Sequence, residues 1–164
     1  MRRFRYTPIV HDTYRQAASV LVLRAAGSKP EILLLHKPRK RDAWQLPQGG
    51  SEASESIEET ALRELSEEAG IRDAVVLGAS SEVYQYDFPA SFRRFRPDHI
   101  CGQRIAYIFA TVAPDIAIAV DGTEVDAYAW VTIEQLPRYV KRKEYLSLIQ
   151  RLYEEALVHV RSRA

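Results

Sequence analysis

Residues 49–71 read GGSEASESIEETALRELSEEAGI. Leu62, Leu65 and Ala69 recur at spacings of three and four, which predicts a helix over Ile57–Ala69. Both ends are marked. Ser56 followed by Glu59 matches a capping box, and Gly70 suits the left-handed stop of a helix. Glu64, Glu67 and Glu68 then fall within an arc of roughly 100°, while the three apolar residues cluster on another side. The helix can bury one stripe and present three carboxylates together. Like charges at i,i+4 cost a helix a few tenths of a kcal/mol, so the group calls for compensation. Arg63 can pair with Glu59 or Glu67 but cannot neutralise all three. A divalent cation would. Oxygen-only ligands suit Mg²⁺ first, Mn²⁺ as a substitute and Zn²⁺ less. A solvated acidic helix with internal ion pairs is the plain alternative.

Outward from this helix, "AASVLVLR" (17–24) and "EILLLH" (31–36) read as paired strands across the turn "AAGSKP". "HKPRKRDAWQLPQGGSE" (36–52) carries two Pro and two Gly and reads as loop. Residues 74–79, 82–88, 103–112 and 125–131 are β-branched or aromatic enough for strands, with a long basic loop over 89–102. A last helix is expected from about Lys141 to Val160, with Tyr145, Leu148, Leu152, Ala156 and Leu157 on one side. Strands lie on both sides of the acidic helix without regular alternation. That order favours an α/β fold with a mixed sheet and flanking helices.

The chain of 164 residues suits a single domain spanning 1–164. The one cysteine, Cys101, excludes an intrachain disulfide and a Cys-based zinc site. No apolar run reaches the roughly 18 residues of a membrane span, and "MRRFRYTPIVHD" lacks the apolar centre of a signal peptide. A soluble life in a reducing compartment, the cytoplasm, is expected, with no membrane partner. The net charge of +1 hides an asymmetry: residues 1–50 sum to +7 and residues 51–82 to −7. Such blocks suit a site needing both carboxylates and cations.

Gly49, Glu55 and the run Arg63-Glu64-Leu65-Ser66-Glu67-Glu68-Ala69-Gly70-Ile71 occupy every fixed position of G-x5-E-x7-R-E-U-x-E-E-x-G-U, with U apolar. The segment thereby resembles the Nudix box. The resemblance implies an α/β/α sandwich around a mixed sheet and a Mg²⁺-dependent pyrophosphohydrolase. It puts Glu64, Glu67 and Glu68 at metal-binding positions, and gives Glu55 and Arg63 the task of stabilising the loop and orienting the carboxylates. Metal ions neutralise phosphoryl oxygens and acidify water, and one carboxylate must accept a proton. The box does not say which.

"YRQAASVLVL", "WQLPQGG", "YQYDFP", "CGQRIAYIF", "EVDAYAWV" and "VKRKEY" follow in an order similar to the bacterial RNA 5′-pyrophosphohydrolases and the asymmetrical diadenosine tetraphosphate hydrolases. That likeness makes Glu124 a further metal ligand or base. It places Arg15 near the substrate, Gln48, Gly49 and Lys141 toward phosphates and Tyr86 beside the base or 5′ end; Lys37 is a further substrate-binding candidate. Trp44 reads as a packing residue. Val140 stands where that group often carries an aromatic, which argues against a two-sided base clamp. Four basic regions, Arg2–Arg5, Lys37–Arg41, Arg93–Arg96 and Lys141–Lys143, could surround a polyphosphate or hold an RNA body. The expected substrate is a (di)nucleoside polyphosphate or the 5′ triphosphate end of RNA. A sanitising nucleoside triphosphate hydrolase and a non-catalytic nucleotide- or RNA-binding regulator are the alternatives.

Overall fold

The structure is a computed structural model and describes residues 13–38, 43–93 and 99–163. The basic clusters at Arg2–Arg5, 39–41 and 94–96 lie outside them. Its first strand, β1 (Thr13–Arg24), explains the architecture. Ala17, Leu21 and Leu23 point to one apolar cluster, and Ala18, Val20 and Val22 to another, all buried. A strand that alternates between two buried faces must be covered on both. One cover is α1 (Ile57–Ala69), through Ala61, Leu65 and Ala69. The other is α4 (Lys143–Ser162), through Tyr145, Leu148, Ile149, Leu152, Tyr153 and Ala156. The expected mixed sheet between helices is what forms.

β1 runs parallel to β6 (Ile100–Val112), which pairs antiparallel with β5 (Val75–Asp87). Its other edge is shared. Only Leu23 and Arg24 pair with β2 (Glu31–His36), whereas Ala17–Ser19 pair with β4 (Gln48–Gly50). β2 in turn carries β3 (Trp44–Gln45) and β7 (Ala127–Val131). The sheet thus opens between β1 and β2, and β4 enters that opening under α1.

The region 36–52 expected as loop holds β3 and β4, each too short to show a two-residue alternation. The strands expected over 74–79 and 82–88 form one strand, β5, with a register irregularity between Ala79 and Val83. Gly78 and two serines look like a break in sequence, yet pairing with β6 carries the strand through. Two single-turn helices, α2 (Ala90–Arg93) and α3 (Leu136–Tyr139), were not expected. Lys141 precedes α4 rather than starting it, with Arg142 as the N-cap residue. Val140 is buried among the α4-side core residues, which is why an aliphatic residue suits it.

Candidate active site

The capping box of α1 forms as expected: Glu59 N–H donates to Ser56 Oγ at 3.1 Å and Ser56 N–H to Glu59 Oε2 at 2.8 Å. Gly70 closes the helix at φ 69°. This commitment removes Glu59 as a partner for Arg63. The Arg63 guanidinium instead grips Glu55 through Nε (2.8 Å) and Nη2 (3.0 Å), Glu64 Oε1 (2.9 Å), Glu67 Oε2 (3.2 Å) and the Gly50 carbonyl (2.9 Å). Planar, bidentate guanidinium–carboxylate pairs are strong, and this one ties the loop before α1 to its carboxylate face. Glu55 is held down to about pH 2 by the Arg63 hydrogen bonds and the Glu52 N–H.

The helix does not separate its faces as cleanly as the spacing suggests. Ala61 takes the buried place expected for Leu62, and Glu68 itself is buried at 3% exposure. Its carboxylate receives Lys37 Nζ at 2.6 Å and the Gln48 N–H at 3.3 Å. Glu64, one turn earlier, lies over Gly49, where a Cβ would sit 2.0 Å from its Oε1. Burial raises the pKa of both carboxyls, with Arg63 chiefly opposing the shift at Glu64 and Lys37 at Glu68. The resident cations therefore leave part of the desolvation cost uncompensated. Glu67 is largely exposed apart from Arg63.

The glycine pair carries a second cradle. A Cβ on Gly50 would meet the Arg15 guanidinium at 2.1 Å, so Arg15 lies flat on the β4 backbone beside the box. Pairing of Ala17 with Gly50 puts it there. The lead-in to β4 is pinned from below: Leu46 N–H donates to Tyr145 Oη (2.9 Å), and Pro47 O accepts from Ser19 Oγ (2.9 Å) and Val20 N–H (3.0 Å).

Other expected residues are spread around this centre. Glu124 is exposed on a turn whose N–H groups at 123–125 donate to Asp121 Oδ1. Buried Val125 anchors that turn on the α1 side, and Asp126 bonds His36 Nδ1 at 2.5 Å. No side-chain bond joins Glu124 to the box. Tyr86 donates its hydroxyl to Gln103 Oε1 (2.7 Å), with its ring 5.6 Å from Tyr84 and 5.9 Å from Phe88. Burial raises its pKa against the opposing charges of Arg142 and Arg15. Lys141 Nζ turns back to the Pro137 carbonyl (3.2 Å). Trp44 packs between His36 and Tyr139, as expected of a packing residue.

Among the described residues, no three Asp, Glu, His or Cys side chains converge into a ready cation cage. The donor set still fits a hard cation: Glu64 and Glu68 are fixed one turn apart, Glu67 is beside them, and burial raises the pKa of Glu64 and Glu68 against the cations present. Two features were not legible in the sequence. Lys37 meets Glu68 across 31 positions, and buried Gln45 has a carboxamide nitrogen without an acceptor.

Residues 13–152 match the NUDIX domain. The chain is 33% identical over 146 residues to an RNA pyrophosphohydrolase of Rhodospirillum rubrum, covering 85% of this chain and 87% of that protein. It is 38% identical over 124 residues to an RNA pyrophosphohydrolase of Zymomonas mobilis, covering 72% and 77%. Its fold is similar to a C. elegans Ap4A hydrolase in a binary complex (TM-score 0.66, 20% identity, 84% of this chain and 94% of that one). The chain belongs to the Nudix family and is a hydrolase of that family. Members of the family generally work with a divalent metal.

Proposed function

We propose that this hydrolase cleaves a phosphoanhydride bond at the 5′ triphosphate end of RNA. The observation that carries the reading is the placement of Glu64, Glu68 and Lys37 on the α1 side of β4, with Arg15 over Gly50 of the same short strand: acidic and basic groups flank one strand, as a phosphate chain and its cation would need. The named activity of the two relatives supports it.

Glu64, Glu67 and Glu68 hold Mg²⁺, which Mn²⁺ can replace, and Glu124 comes from its turn as a further ligand or as the base. When bound, the ion supplies charge against phosphoryl oxygens and acidifies water. Arg63 and Glu55 keep Glu64 and Glu67 in place. Gln48 and Gly49 shape the floor under the Glu68 and Glu64 carboxylates. Arg15 takes the phosphate chain from the β1 side, and Lys37, next to Glu68, takes it from the β2 side. Lys141, whose Nζ donates to the Pro137 carbonyl, is a further cation for the phosphate chain.

Tyr86 offers one aromatic face to the first base. With Val140 in the core, no second wall stands at that position. Recognition therefore favours phosphate number over base identity, as suits an RNA end. Such a substrate puts the enzyme in the cytoplasm; none of the described helices is long and apolar enough to cross a membrane.

The test compares triphosphorylated RNA, diadenosine tetraphosphate and mononucleotides side by side with Mg²⁺ and with Mn²⁺. Highest kcat/KM on RNA is expected, with little dependence on the first base. Glu68→Gln should lose at least 10²-fold in kcat with the fold retained. Faster turnover of the dinucleotide, or strong selection of one base, would overturn the RNA reading.

A further inference from the structure

We infer that Gln45 is a phosphate-binding residue of this site, its carboxamide NH₂ being the donor for a phosphoryl oxygen of the substrate. The inference rests on the phosphoanhydride reading above. Gln45 is 7% exposed, and its Nε2 is the one buried side-chain nitrogen or oxygen among the described residues without a hydrogen-bond partner. Buried donors are rarely left unpaired, because withdrawal from water is then uncompensated.

Strand geometry says where this donor lies. Trp44 pairs with His36 and packs on the α4 side, so its neighbour Gln45 faces the α1 side. Leu35, directly opposite Gln45, belongs to the α1-side cluster, which agrees. The ladder continues as Lys37 N–H donates to Ala43 O at 2.7 Å. Gln45 and Lys37 are therefore diagonal neighbours on one face, a separation of about 7–8 Å that long side chains bridge. Lys37 in turn touches Glu68. The free NH₂ thus stands in the wall of the acidic site.

A packing role does not account for it. Leu35 and Leu46 adjoin Gln45 in pairing and in sequence, and an aliphatic residue would fill the place with no polar group to satisfy. The nearby carboxylates already have Arg63 and Lys37 as donors. Among the described residues no acceptor meets this amide, and a polyphosphate is a chain of acceptors. A neutral amide adds direction there without adding charge.

Two opposed changes identify this role in Gln45→Met. Loss of the unpaired amide should raise the melting temperature of the ligand-free full chain by about 2–4 °C. Affinity for a nucleoside triphosphate analogue with a methylene bridge, titrated calorimetrically with Mg²⁺, should fall about tenfold or more, the scale of a hydrogen bond to a charged group. Affinity within twofold of wild type overturns the assignment. A lowered melting temperature with unchanged affinity does so too, and shows the amide serving the fold through an ordered water. If Gln45→Met does not fold, Gln45→Asn retains the amide but shortens it, and the same loss of affinity is expected. Wild type that neither binds the analogue nor hydrolyses polyphosphates would refute the functional reading; wild type that does, beside a variant that binds equally well, refutes only the role of Gln45.

Discussion

Adding one methyl group at Gly49 should move the Glu64 carboxylate, a proposed metal ligand, without unfolding the protein. In Gly49→Ala the new Cβ would stand 2.0 Å from Glu64 Oε1, 2.1 Å from Cδ and 2.6 Å from Oε2. Ordinary C···O contact is about 3.3–3.5 Å, so the carboxylate must withdraw by about 1.3–1.5 Å. The backbone has no reason to move, since only the end of one side chain is struck and Gly49 does not need a left-handed φ. Glu64 is tethered to Arg63 at 2.9 Å, and its retreat disturbs that contact as well. Misplacing a reacting group by about 1 Å can cost about 10²-fold, equivalent to roughly 2.7 kcal/mol in the barrier. Alanine meanwhile restricts the unfolded chain and returns about 0.4–1 kcal/mol of stability where its backbone conformation is allowed. The expected result is kcat/KM on triphosphorylated RNA down about 10²-fold, with a melting temperature within about 3 °C of wild type. Wild-type turnover would show that Glu64 need not lie over β4. Gross destabilisation would show that β4, not the side chain, yields.

Arg63→Ala leaves Glu55, Glu64 and Glu67 without their shared cation, so activity and thermal stability should fall together, the latter by about 5 °C or more; an unchanged melting temperature of the metal-free protein refutes the structural half of the role. Tyr145→Phe strands the buried Leu46 N–H, which should cost about 1–3 kcal/mol in a denaturant titration and raise KM by loosening the approach to β4; equal stability would mean another acceptor replaces the hydroxyl. Glu55 is depressed to about 2 from an ordinary 4.5, so its contribution to stability is complete above about pH 4.5 and lost as pH falls toward 2. Melting curves of wild type and Glu55→Gln should therefore converge between pH 4.5 and 2, and parallel curves would contradict the Arg63–Glu55 coupling.

The chain's local chemistry determined a good deal by itself. Ser56, Glu59 and Gly70 set the ends of α1, because caps are satisfied within a few residues of the same segment. The spacing of Glu64, Glu67 and Glu68 follows from helix geometry, and the box supplied their roles. The apolar run over 17–24 reads as a strand in the same way. What depended on distant partners could not be read from local patterning. β4 is a strand only because Ala17–Ser19 pair with it. Lys37 became the counter-ion of Glu68, and Arg15 came to lie on Gly50, through a sheet that opens between β1 and β2. The burial of Glu68 needed Lys37 and the β3–β4 segment to pack against α1, since helical period assigns a face but not what covers it. The orphan amide of Gln45 is of the same kind: a two-residue strand has no periodicity to read, and only its pairing with Leu35 turns the side chain toward the acidic site.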